Sequence, residues 1–182
     1  MKKIVAIGDS LTYGFPYSPR YSWVSLAARQ TGSQITNQGV CGETTGDMLL
    51  RFEQDVVAPA PDYAVIMGGT NDAFMDASPD EVAENIADML ELADVAGIVP
   101  LIGLPPPVDF PVEEALLEEY RRQMRQLART RSITTLDFYV AMLGPAGGLR
   151  QGLHDDGVHP NEAGYRVMAE VAIAVLGNLK DR

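Results

Sequence analysis

Short, β-branched-rich apolar runs alternate along this chain with longer stretches of helical period, and that alternation restricts the fold more than any other feature. Ile4-Val5-Ala6-Ile7 runs unbroken into Gly8, as a strand buried on both faces reads. Similar runs at residues 35–37, 63–67, 99–104 and 133–136 predict four more strands. Pro100 fits the fourth only near its start, where a missing N–H costs least. Between the runs, Ser78-Pro79-Asp80-Glu81 has capping-box spacing with proline at the first helical position. Val82, Ile86, Met89, Leu90 and Ala93 then mark one helix face, and Gly97 supplies the stop. Val112, Leu116, Tyr120, Met124 and Leu127 form a second face over residues 111–131. Tyr165, Met168, Val171, Ala172, Val175, Leu176 and Leu179 form a third. These stripes read as core-facing surface and carry no function.

Five strands alternating with five helices imply βαβ units, and so a parallel α/β sheet covered on both faces. No repeat, linker or low-complexity tract divides the chain, so one domain over residues 1–182 is expected. In such sheets, sites form beyond the carboxyl ends of the strands. Residues capable of chemistry should therefore follow the apolar runs directly, and they do.

Composition narrows the classes of function. The chain carries 25 acidic against 14 basic residues, a net charge of −11, which argues against unspecific binding to nucleic acid or anionic membranes. One cysteine permits no internal disulfide framework. No apolar run approaches the ~20 residues of a membrane span, and four apolar residues after Met1-Lys2-Lys3 are too few for a secretory leader. A cytoplasmic chain is expected, with no nucleic-acid or membrane partner.

After the first strand comes Gly8-Asp9-Ser10-Leu11-Thr12-Tyr13-Gly14. Ser10 reads as a nucleophile, as part of a phosphate cradle, or as a turn residue capping a helix. The cradle reading suffers from the absence of nearby Lys or Arg and of any known phosphate-loop pattern. After the second strand, Gly39-Val40-Cys41-Gly42-Glu43-Thr44 offers two glycines for tight turning and close backbone approach. Cys41, among small residues, reads as a buried hydrophobe. After the third strand, Asn71 in Gly68-Gly69-Thr70-Asn71-Asp72 could donate to a developing oxyanion or simply form an Asx-turn. Both histidines lie near the C-terminus, in His154-Asp155-Asp156-Gly157-Val158-His159-Pro160. Asp156, three residues before His159 across a glycine-containing turn, can reach the ring and hold its tautomer. A metal site from His154, Asp155, Asp156 and His159 is the alternative, although no recognised ligand spacing is matched. Together the four loops supply nucleophile, base, orienting acid and oxyanion donors on one edge of one sheet.

The sequence resembles the SGNH hydrolases, also called GDSL esterases and lipases. Gly8-Asp9-Ser10-Leu11 matches the motif naming the second group, Gly42 the family's oxyanion glycine, Gly69-Thr70-Asn71-Asp72 its Gly-x-Asn-Asp block, and Asp156-Gly157-Val158-His159-Pro160 its Asp-x-x-His block. The blocks occur in family order over residues 8 to 160. The resemblance implies a flavodoxin-like three-layer α/β/α sandwich around a five-stranded parallel sheet. It also implies hydrolysis of esters, thioesters or O-acetyl groups without a metal or other cofactor. It assigns Ser10, His159 and Asp156 as the catalytic triad and Ser10, Gly42 and Asn71 as the oxyanion hole. A non-catalytic α/β small-ligand module and a metal-dependent phosphoesterase are the competing readings. The proline-rich stretch at 105–110 is too short for a lid, which disfavours an interfacial lipase. By position, Tyr13, Phe15, Phe74, Met75 and Phe110 are candidates to line an open groove for a small acyl ester.

Overall fold

In the computed structural model, which describes residues 1–180, five strands form one parallel sheet in the order β2-β1-β3-β4-β5. They are β1 (Lys3–Gly8), β2 (Gln34–Gly39), β3 (Tyr63–Met67), β4 (Val99–Leu104) and β5 (Thr135–Asp137). The side-chain period of two divides β1 cleanly between two cores. Val5 and Ile7 join one, with residues of α3 (Thr45–Leu50), α5 (Pro79–Val95) and α6 (Pro111–Arg131). Ile4 and Ala6 join the other, with α2 (Trp23–Thr31), α7 (Phe138–Met142) and α8 (Glu162–Leu176). Helices therefore cover both faces, giving the three-layer sandwich. Among the described residues no helix is long and apolar enough to cross a membrane.

The strand order sets the site. From β1 the chain moves outward to β2, then returns to place β3 on the other side of β1. A crevice opens at such a reversal, beyond the carboxyl ends of the two diverging strands. Two short helices start there, α1 (Ser10–Tyr13) after β1 and α4 (Thr70–Phe74) after β3. Gly39 makes the first possible, because a Cβ there would lie 2.1 Å from the Tyr13 backbone nitrogen.

Several local expectations need correction. The described residues contain eight α-helices rather than five, since α1, α4 and α7 add single turns at strand ends. The fifth strand begins at Thr135, not Ile133: Ser132 is left-handed (φ 55°), and the Ile133 N–H donates to Ala128 O, so both belong to the end of α6. β2 extends past residues 35–37 to Gly39, carried by pairing with β1 where its own residues are only half-buried. On α6 the buried face is Leu117, Tyr120, Arg121, Met124 and Ala128, while Val112 is 71% exposed. Leu179 packs beyond the end of α8. Pro100 is the second residue of β4. The Val99 N–H donates toward β3 and that of Ile102 toward β5, so Pro100 lacks its donor on the β5 side, ahead of where β5 begins.

Candidate active site

Ser10 is the first residue of α1 and is buried. It does not cap the helix. Asp9 does, its carboxylate accepting from the Leu11 N–H at 2.9 Å. As the first helical residue, Ser10 has no carbonyl one turn back to occupy its own N–H.

The Ser10 hydroxyl lies 3.2 Å from His159 Nε2, although 149 residues separate them. The other ring nitrogen, Nδ1, lies 2.7 Å from Asp156 Oδ2. Asp156 Oδ1 accepts from the backbone N–H groups of His159 (2.7 Å) and Val158 (2.9 Å). The carboxylate therefore organises the turn and the ring together. Burial opposes its charge, but these bonds outweigh that and hold the Asp156 carboxyl below the usual range. An ionised Asp156 facing Nδ1 leaves Nε2 as the acceptor toward Ser10. Phe15 stands edge-on to the His159 ring, centroids 4.6 Å apart, and its carbonyl accepts from the Tyr165 hydroxyl at 2.7 Å.

Gly42 and Asn71 lie on two other loops. Gly42 adopts φ +86°, a conformation that would strain a side-chain-bearing residue. Asn71, in α4, donates from Nδ2 to the Glu43 carbonyl at 2.8 Å, which holds its amide beside the Gly42 turn and leaves a second hydrogen on the same nitrogen. Asp72 fastens the two loops together, accepting from the Thr45 N–H at 3.0 Å and the Thr45 hydroxyl at 2.6 Å.

Around this centre, Phe74 and Phe110 meet edge to face at 5.4 Å and remain partly exposed. Met75 follows α4, two-thirds exposed. Tyr13 closes α1, where its carbonyl accepts from Asn37. Cys41 is exposed rather than buried, and partial desolvation, then the Asp9 charge, pushes its thiol up, away from a reactive thiolate. The four residues of the metal alternative do not converge. His154 Nε2 faces Asp109 (3.2 Å), His159 faces Asp156, and no metal-holding group of three His, Cys, Asp or Glu forms among the described residues.

Two supporting residues were not read from the sequence. Arg51, after α3, contacts Glu43 (2.6 Å), Asp55 (2.7 Å), the Gln38 carbonyl (2.9 Å) and the Gly8 carbonyl (3.3 Å), tying the ends of β1 and β2 to the loop that carries Gly42 and Glu43. Asp9 is the second. Burial pushes its carboxyl up to about 7, partly offset by the Leu11 N–H and reinforced by the Asp72 and Glu43 carboxylates. Arg51 has no local signal. Asp9 had one, as an acidic residue directly after a strand buried from Ile4 to Gly8.

This geometry can be set against known proteins. Residues 6–167 match the model of the GDSL-like lipase/acylhydrolase family. The chain belongs to that family. A protein of the lipolytic G-D-S-L family from Desulfitobacterium hafniense superposes with a TM-score of 0.91 at 29% identity, over 96% of this chain and 99% of its own. An arylesterase from Vibrio mimicus is 26% identical over 93% of this chain and 85% of its own length. An acetylxylan esterase from Geobacillus stearothermophilus is 28% identical over 81% and 74%. With this family and these relatives, the chain is a carboxylic ester hydrolase of the GDSL type.

Proposed function

We propose that the chain hydrolyses small carboxylic esters through a Ser10–His159–Asp156 triad and an acyl-enzyme intermediate, within one hydrolase domain. The observation that carries this reading is the unbroken line from Ser10 Oγ through His159 to Asp156, at 3.2 and 2.7 Å. Ser10 Oγ attacks the carbonyl carbon as its proton passes to His159 Nε2, and Asp156 stabilises the resulting imidazolium. The tetrahedral oxyanion takes hydrogen bonds from the Ser10 and Gly42 N–H groups and the Asn71 amide. Collapse breaks the bond to the alcohol or thiol, which leaves with the proton from Nε2. Water, deprotonated by the same nitrogen, then attacks the acyl carbon and frees Ser10.

Phe15, Phe74 and Phe110 form the apolar walls we assign to the acyl or aryl group. The 105–110 segment beside them is held fast, with Arg121 donating to the Pro105 and Pro106 carbonyls and Glu114 accepting from the Val108 N–H. A segment tied at both backbone and side chain does not serve as a lid, which favours soluble short- or medium-chain esters over emulsified triglycerides. The names of the relatives span aryl and acetyl esters, so family membership leaves the leaving group open.

An organophosphonate ester followed by peptide mass mapping tests the reading. Adduct on Ser10, with turnover unaffected by a chelator, is expected. An unlabelled Ser10 in folded protein removes it as the nucleophile, and loss of turnover on chelation replaces the triad with a metal-assisted hydrolysis.

A further inference from the structure

We propose that His154 is a positioning residue for the 156–159 turn, holding it against the segment that follows β4; the inference rests on the reading of His159 and Asp156 as catalytic. The side chain of His154 is 13% exposed and is bonded at both ring nitrogens. Its Nδ1 lies 2.9 Å from the Gly157 backbone nitrogen, and a backbone N–H can only donate, so Nδ1 is the acceptor. Its Nε2, 3.2 Å from Asp109 Oδ2, then carries the proton. One tautomer satisfies both contacts.

Asp109 completes the clasp. Its backbone N–H donates to the Gly157 carbonyl at 2.8 Å, and its Oδ1 accepts from the Leu149 N–H at 2.9 Å. Gly157, directly after Asp156, is thus gripped at its N–H by His154 and at its carbonyl by Asp109. At φ +85° it lies close against the same segment, where a Cβ would come within 3.2 Å of the Phe110 ring and 3.3 Å of Asp109 Cβ.

The support beneath Asp109 is stiff. Arg121, fully buried on α6, holds the Pro105 and Pro106 carbonyls, pairs with Glu114, and lies 4.1 Å over the Tyr139 ring. A continuous set of bonds therefore runs from α6 through Asp109 and His154 to Gly157. From there it reaches the Asp156 carboxylate and the His159 ring. Catalysis is steeply sensitive to placement, and about 1 Å of displacement can cost on the order of 10²-fold in rate.

The two bonds of His154 can be removed separately. In H154N the amide oxygen occupies the place of Nδ1 and keeps the acceptor for Gly157 while losing Asp109. In H154Q the amide nitrogen occupies the place of Nε2 and keeps Asp109 while losing the acceptor. H154L loses both. With a soluble ester, H154L should lower kcat roughly 10- to 100-fold with KM within about twofold, and should slow phosphonate labelling of Ser10 in parallel. H154N should recover most of the rate and H154Q should not. Melting curves establish that each variant is folded; if H154L is not, the comparison of Asn with Gln decides alone. Wild-type kcat in folded H154L, or in folded H154Q, overturns the proposal. Ser10 unlabelled in the unaltered chain defeats the parent reading instead.

Discussion

Replacing Asp9 by asparagine should stabilise the protein above neutral pH and do little near pH 4. Asp9 is 1% exposed, and its carboxyl, ordinarily near 3.8, is raised to about 7 in the fold by burial before any other cause. Between those values the native state retains a proton that the unfolded chain has released. Stability therefore falls as pH rises through the window from about 4 to 7, and the full cost is present above it. At about 1.4 kcal/mol per pH unit, that cost reaches about 4 kcal/mol at pH 8.5 and about 2 kcal/mol at pH 5.5. Asparagine carries no charge, and its amide oxygen can still accept from the Leu11 N–H. Desolvating the new NH2 group returns about 1 kcal/mol, so the expected net gain at pH 8.5 is about 3 kcal/mol. Urea unfolding of both proteins at pH 4, 5.5 and 8.5 measures it. A difference that does not change with pH, or a variant less stable at pH 8.5, would show that the buried carboxyl is not the destabilising group.

The remaining predictions concern the triad, the donors and their support. Ser10→Ala should abolish ester turnover while leaving the unfolding free energy within ~1 kcal/mol, read by urea titration; more than a few per cent residual activity in contaminant-free protein removes Ser10 as nucleophile. Asn71→Ala should lower kcat roughly 10²- to 10³-fold with little change in KM. Asn71→Asp should fail as badly, since it sets a carboxylate oxygen against the Glu43 carbonyl and beside the forming negative charge, whereas a simple turn former would tolerate it. Arg51→Met should cost roughly 2–3 kcal/mol, because it leaves the Glu43 and Asp55 carboxylates without their shared cation; unchanged urea midpoints would show these contacts to be energetically idle.

The architecture was legible in the sequence because its signals are local. A strand covered on both faces must be apolar at every position, and residues 4–7 are. A helix start needs a side-chain acceptor, and Ser78 does accept from Glu81 N–H, three residues on. The candidate site was legible for a related reason: each of its blocks is a short loop whose residue types answer to the strand ending just before it or the helix starting just after. What the sequence could not reveal depends on which surfaces meet. The buried face of α6 differs from its most apolar stripe because Arg121 finds carbonyls and a carboxylate to bond at the 105–114 segment, so a guanidinium can sit where Val112 cannot reach. Cys41 is exposed and Asp9 buried although each lies among small residues, because Asp9 follows β1, an inner strand flanked by β2 and β3, and Cys41 follows β2, the edge strand. Arg51 and His154 find their decisive partners across 43 and 45 residues of chain, at Gly8 and Asp109. A hydrogen bond of that span leaves no periodicity and no spacing in the sequence; only packing brings its donor and acceptor within 3 Å or so of each other, and only tertiary structure could decide it.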